Sequence, residues 1–136
     1  MLEPPIANIG VKGIRTAAGR IQAWRDVLGE DDLRETCANT AIMIDARGGT
    51  GGGLFRMMYG RFLAEAAGLT GKDGFLEAGR RMQAIGARWD AAAALFAQAS
   101  RAEDPAMALA EVCALLPDIA AQEEAIWGRL LTAADE

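Results

Sequence analysis

The chain has 136 residues, 51% of them hydrophobic and 24% charged, which suits one compact domain with its own core. Its formal net charge of −5 argues against nucleic acid and anionic membranes as partners, because both require a basic surface. The sequence contains no apolar run of about 18 residues, so it predicts no membrane span.

The residue types limit the chemistry that this chain can perform. The absence of histidine excludes His-based acid–base catalysis, Cys–His and Ser–His pairs, and most zinc or iron sites. Cys37 and Cys113 lie far apart and are interpreted as buried, reduced thiols. The start, "MLEPPIANIG", lacks the basic and apolar regions of a secretory signal, so we expect a cytoplasmic protein. We assign no catalytic residue, metal ligand or cofactor, and whether the chain belongs to an enzyme stays open.

Apolar residues at helical spacing predict two helices in the first third of the chain. Asn8 is the predicted N-cap of the first helix, which ends near Gly29. Asp31 or Asp32 is the predicted N-cap of the second. Its predicted inner face consists of Leu33, Cys37, Ala41 and Ile44.

The third and fourth predicted helices follow a glycine run. The third starts near Gly53, and large apolar residues mark its predicted inner face. These are Leu54, Phe55, Met58, Tyr59, Phe62 and Ala66. The fourth, capped by Asp73, alternates large and small residues along one seam from Phe75 to Phe96. A glycine inside a helix costs about 1 kcal/mol against alanine, so we expect Gly79 and Gly86 to face a closely approaching helix.

The last third of the chain predicts one helix or two. Asp104 is the predicted cap and Pro105 the first helical residue, and Pro117 is expected to break or kink this helix. The inward residues before Pro117 are predicted to be Met107, Ala110 and Ala114. Those after it are Ile119, Glu123, Ile126 and Leu130. A buried Glu123 would need a basic partner.

No segment alternates with the period of a strand, so the sequence predicts an all-α fold. We expect residues 1–136 to form a single compact bundle of five or six helices, with a glycine-rich loop between the second and third. The large apolar fraction also suggests that some apolar surface contacts a partner, with a homo-oligomer as one candidate.

The glycine-rich loop allows two interpretations. It is either a tight turn between antiparallel helices or an anion-binding loop at a helix start, where amides are unpaired. The candidate ligand-binding residues are Arg47, Gly51, Gly52, Gly53, Arg56 and Tyr59. The loop lacks the GK[ST] ending of a P-loop. For Arg56 there are also two structural roles, capping of carbonyls or pairing with Asp45.

Two segments carry a family resemblance. One is "PPIANIGVKGIRTAAGRIQAW", with the entry N-I-G-V-K-G-I-R; the other is "GGTGGGLFRMMYGRFLAEAA". The second contains G-G-G-x-F/L-R-x-M-Y-x-x-F-L-x-E-A at residues 51–66, the most specific part. Together with the later helix that carries Trp89, they resemble the C-terminal helical domain of butirosin-biosynthesis-protein-H-like proteins.

The resemblance implies an acyltransferase-related protein of natural-product biosynthesis. In the namesake, an aminoacyl group moves from an acyl carrier protein to an aminoglycoside amine, and the nucleophilic cysteine belongs to a preceding papain-like domain. This chain would then be a non-catalytic accessory domain that shapes an acceptor or carrier-protein site. It would be the C-terminal part of a larger protein or a stand-alone relative. An acyl carrier protein or a cysteine-protease-like domain is the expected partner. The alternative is a homo-oligomerising helical interaction module of another role, with an anion-binding glycine loop.

Overall fold

The computed structural model describes Ile6, residues 8–47 and residues 51–135. Their helices, in chain order, are α1 (Gly10–Gln22), α2 (Trp24–Val27), α3 (Glu30–Ile44), α4 (Gly53–Thr70), α5 (Asp73–Ala99) and α6 (Ala106–Asp135). No strand occurs among these residues. The predicted all-α bundle of five or six helices is therefore confirmed.

Helix α5 is the centre of the bundle. Helices α3, α4 and α6 all pack against it, and α1 packs against α6. Its inward side chains join those of α1, α3 and α6 in one core. The largest fully buried apolar members are Val11, Met82, Ile85, Phe96, Val112 and Ile119. Across the described residues, no helix has both the length and the apolar composition that a membrane span requires.

Glycines in both helices allow α4 and α5 to approach closely. A Cβ atom on Gly79 would lie 2.7 Å from the carbonyl oxygen of Gly60, and one on Gly60 would lie 2.7 Å from that of Gly79. Further along, a Cβ on Gly53 would lie 2.9 Å from the Gly86 carbonyl oxygen, and one on Gly86 would lie 2.9 Å from Met57 Cγ. The two helices are thus antiparallel, and the prediction that Gly79 and Gly86 face a neighbouring helix is confirmed.

Because of this packing, α4 is rotated about its own axis relative to the sequence-based prediction. The buried residues of α4 are Gly53, Gly60, Leu63 and Ala67. Phe55, Met58 and Phe62, expected on the inner face, are instead 51%, 53% and 58% exposed. The expectation was wrong because it ranked residues by apolar bulk, whereas a close helix crossing selects the smallest side chains.

Helix α3 also runs antiparallel to α5. Arg34 near its start donates to the carbonyl oxygen of Ala102, just beyond the end of α5. At the other end, the N–H of Ala46 donates to Asp90 within α5 (2.9 Å). Helices α3 and α4 therefore lie one after the other along α5, and both run in the direction opposite to it. The prediction that the loop joins two antiparallel helices was therefore wrong. Residues 48–50 at the centre of the loop lie outside the described residues.

Three predicted caps were wrong. Lys72 is the N-cap of α5, and Asp73 is the first residue of that helix. Ile9 is the N-cap of α1, and Asn8 precedes it with a φ of 74° in the left-handed region. Gly29 is the N-cap of α3, which leaves Asp31 and Asp32 inside the first turn. Carboxylates are also favourable there, because they face the partial positive charge of the helix start.

Helix α6 is one continuous helix. Asp104 caps its start as predicted, since Asp104 Oδ1 accepts the N–H of Ala106 (2.9 Å), but the first helical residue is Ala106 rather than Pro105. Of the two expected effects of Pro117, a break or a kink, the break was wrong, because the helix continues past this exposed residue. The buried neighbours Leu116 and Ile119 hold it against the bundle on both sides of the proline.

The inner face of α6 was predicted correctly only in its second half. Ile119, Glu123, Ile126 and Leu130 are all buried, as expected. In the first half, the buried residues are Ala108, Leu109, Val112 and Leu116, whereas Met107, Ala110 and Ala114 are exposed. The expected face was thus rotated by one to two positions.

We predict that Gly79→Ala destabilises the protein more than Gly86→Ala. The new methyl group at Gly79 meets a backbone carbonyl that cannot move alone, whereas at Gly86 it meets the flexible side chain of Met57. Overpacking of this kind costs about 1–3 kcal/mol, against which the better helix propensity of alanine returns about 1 kcal/mol. Thermal and urea unfolding measure the difference.

Gly19→Ala is the matched control for these variants. Gly19 lies in an exposed part of α1 with nothing within 4 Å of an added Cβ. Alanine there should raise the free energy of unfolding by about 0.5–1 kcal/mol. Equal stability changes at Gly79 and Gly19 would contradict a close α4–α5 contact.

Candidate functional site

A buried carboxylate lies at the centre of the structure. Glu123 in α6 is 2% exposed, and the structure confirms that it has the basic partner its burial requires. Arg56 of α4 donates from Nε to Glu123 Oε1 (2.8 Å) and from Nη2 to Oε2 (3.2 Å). Trp89 of α5 donates its indole N–H to Oε1 (3.1 Å). One carboxylate therefore connects the three longest helices.

Arg56 also holds the end of the glycine-rich loop. Its Nη1 donates to the carbonyl oxygens of Gly51 and Gly52, and its guanidinium lies 5.1 Å from the centre of the Trp89 ring. Of the two structural roles considered for Arg56, capping of carbonyls is observed. Its carboxylate partner is Glu123 rather than Asp45. The guanidinium is thus occupied on both edges by groups of the protein itself.

An open pocket of about 320 Å³ lies over this ion pair. Its lining consists of Gly10, Phe55, Arg56, Tyr59, Met82, Glu123 and Trp127. The Tyr59 and Trp127 rings are in contact, with centroids 5.2 Å apart. Tyr59 is half-buried, and desolvation raises the pKa of its phenol. The pocket therefore has aromatic side walls, and the Arg56–Glu123 ion pair, whose charges neutralise each other, forms its floor.

The other predicted ligand-binding arginine lies elsewhere. Arg47 is paired with Asp45 (2.9 Å), and its hydrogen bonds to that carboxylate lower the pKa of Asp45. Both residues border a second open pocket of about 370 Å³, together with Asp90. Arg47 and Arg56 therefore belong to different pockets, and the structure does not bring them together as one anion clamp.

The start of α4 already has a carboxylate beside it. A Cβ on Gly53 would lie 2.8 Å from Asp90 Oδ1, the same oxygen that accepts the N–H of Ala46. A negative charge here complements the partial positive charge of the helix start. This arrangement favours a structural role for the loop, because Asp90 stands near where an anion would bind. Anion binding by Gly51, Gly52 and Gly53 stays a prediction.

Both cysteines are free, as expected. Cys37 is fully buried, and Cys113 is half-buried with its Sγ 3.3 Å from the carbonyl oxygen of Ala18. Desolvation raises the pKa of both thiols, so the reactive thiolate form is disfavoured. Among the described residues, no group of three Cys, Asp or Glu side chains is arranged to hold a metal ion.

Sequence reasoning found Arg56, Tyr59 and Glu123 but not their connection. The signal for it was present, since a glutamate within an apolar helical stripe requires a cation and Arg56 follows the glycine run. Asp90 and Trp89 gave no comparable signal. Both lie on a long amphipathic helix. The sequence alone does not say that Trp89 donates to Glu123 or that Asp90 accepts from the loop residue Ala46.

We predict that Glu123→Ala destabilises the protein by about 3–5 kcal/mol, because it leaves Arg56 and the Trp89 indole without their shared acceptor. Glu123→Gln keeps an acceptor for Trp89 and should cost less. The double variant Arg56→Met/Glu123→Gln should cost less than the sum of its single changes. Urea unfolding of the parent, Arg56→Met, Glu123→Gln and the double variant measures this coupling.

The neighbouring pair Arg15–Glu124 provides the control. It joins α1 to α6 at 2.6 Å, but both side chains are about half-exposed. Glu124→Ala should therefore barely change stability. A Glu123→Ala variant as stable as Glu124→Ala would show that the buried pair is not essential to the fold.

Comparison with known proteins assigns the chain to a family. No curated protein and no solved structure gives a significant match. Residues 1–130, nearly the whole chain, match the family model described as a domain of unknown function, DUF4872. The chain therefore belongs to the DUF4872 family.

Proposed function

We propose that this chain is a non-catalytic helical accessory domain of an acyltransferase-like protein of natural-product biosynthesis. In this proposal, the pocket between the start of α1, α4 and α6 shapes the site for the acceptor or for the acyl carrier protein. The single observation that carries the proposal is the open aromatic pocket over the Arg56–Glu123 pair.

The composition of the pocket supports binding rather than covalent chemistry. Its aromatic side chains supply contact area with few rotatable bonds, and the phenol of Tyr59 supplies a polar group. The charged groups below are satisfied by each other, so they form a fixed floor. Phe55, Arg56 and Tyr59 also belong to the segment that carries the family resemblance.

The state of the thiols supports the absence of a nucleophile in this domain. A catalytic cysteine needs a lowered pKa and an adjacent base, whereas burial raises the pKa of Cys37 and Cys113. The sequence contains no histidine that could act as that base. The acyl-transferring group would then come from another domain or protein.

Titration of isotope-labelled chain with two probes tests the pocket. The probes are pantetheine, which represents the arm of a carrier protein, and an aminoglycoside, which represents the acceptor. We expect one of them to shift the amide signals of Gly10 and residues 55–59 and the indole signal of Trp127. Trp127→Leu should weaken this binding by roughly tenfold, the usual effect of losing an aromatic contact.

Trp24→Leu is the matched control for Trp127→Leu. Trp24 is also half-buried and packs on an aromatic ring, that of Phe96 (5.9 Å), but it does not line the pocket. It should leave probe binding unchanged. If neither probe shifts the pocket signals at roughly 10 mM, weaker than the range of specific small-ligand sites, the proposed function fails.

A separate prediction concerns the cysteines. The isolated chain should transfer no acyl group from a thioester above background, and Cys37 should react with iodoacetamide more slowly than Cys113, because it is fully buried. Mass spectrometry follows both reactions. Thioester turnover that disappears in Cys37→Ser or Cys113→Ser would contradict a non-catalytic role.

A further inference from the structure

Helix α4 carries a row of large apolar side chains on the side away from α5. Phe55, Met58, Phe62 and Leu69 are 51%, 53%, 58% and 89% exposed. Together with the exposed Glu65, they repeat at intervals of 3, 4, 3 and 4 residues. This is the spacing of a coiled-coil seam, which packs against another helix. These five residues are called the outer face of α4 below.

The size of the outer face fits a contact surface of limited area. Each of its four apolar side chains leaves roughly 100 Å² in water, which gives a patch of roughly 400–500 Å². That area is within the range of the largest patch on a typical monomer and is about half of what each partner buries in a stable interface. A contact here would therefore be weak and would be completed by flanking residues.

Two charged residues flank Phe62 on this surface. Arg61 and Glu65 are both exposed, and within the described part of the chain neither forms an ion pair. By contrast, Glu77 and Arg81 on α5, also one turn apart, pair at 2.6 Å. The order of charges explains part of the difference, because an acidic residue one turn before a basic one is the more favourable arrangement.

We propose that the outer face of α4 is a contact between two copies of this chain, with their α4 helices antiparallel about a two-fold axis. When the axis passes at the level of Leu63, Arg61 of each copy lies opposite Glu65 of the other. The two Phe62 side chains meet at the centre, and Leu69 of each copy lies within one residue of the level of Met58 of the other. One helix thus supplies both members of each complementary pair, as an isologous interface requires. This inference goes beyond the proposed function. Phe55 belongs to both surfaces, but the residues substituted in the test below do not line the pocket.

Sedimentation equilibrium of the full chain, from roughly 10 µM to roughly 1 mM, tests the proposal in the concentration range expected for a small interface. We expect a reversible monomer–dimer equilibrium. Arg61→Glu and Glu65→Arg should each raise the dimer Kd by about tenfold or more, because each places like charges opposite one another. The double variant Arg61→Glu/Glu65→Arg should restore the Kd to within about threefold of the parent value, since it restores opposite charges.

Phe62→Glu should abolish the dimer, and Met107→Glu is its matched control. Met107 is 71% exposed on α6, outside the outer face, so its substitution should leave the dimer unchanged. Circular dichroism and thermal melting check that each variant is folded. A chain that stays monomeric at the highest concentration overturns the proposal, whether or not another protein binds this face. The proposal is also overturned if the double charge variant dimerises no more tightly than the single variants. Equal effects of Phe62→Glu and Met107→Glu on the dimer Kd would overturn it as well.

Discussion

The bundle depends on a carboxylate buried in α6. Glu123 is removed from water almost completely, which is tolerable only because Arg56 and Trp89 supply three hydrogen bonds. The same guanidinium holds the carbonyl groups of Gly51 and Gly52 at the start of α4. Helices α4, α5 and α6 and the loop end are therefore fixed relative to one another by one side-chain network.

The second constraint is the close contact between α4 and α5. Because Gly60 and Gly79 bring backbone against backbone, no large side chain fits between the helices at that point. Leu63 and Met57 pack beside the glycines of α5, and the other bulky apolar residues of α4 point elsewhere. Tyr59 reaches the pocket, whereas Phe55, Met58 and Phe62 remain largely in water. The exposed apolar surface is thus a direct consequence of how α4 is packed.

The sequence predicted the fold class, the glycine contact and the need of Glu123 for a cation. These follow from helical periodicity, from the cost of glycine in a helix and from the cost of burying a charge. It did not predict the rotation of α4, since apolar bulk is a poor guide where glycines form the interface. It also missed the continuity of α6 at Pro117 and the bond from Ala46 to Asp90, because both depend on contacts between elements distant in sequence.

Tyr59 connects the two surfaces for which roles are proposed. Its ring lies 5.8 Å from that of Phe62 on the outer face and 5.2 Å from that of Trp127 in the pocket wall. Its backbone is fixed one turn from Arg56, which the buried pair holds in place. Because the two rings are stacked, a partner that repositions Phe62 changes the surroundings of the Tyr59 ring. Contact at the outer face and occupancy of the pocket are therefore expected to influence each other, even though each can be tested by itself.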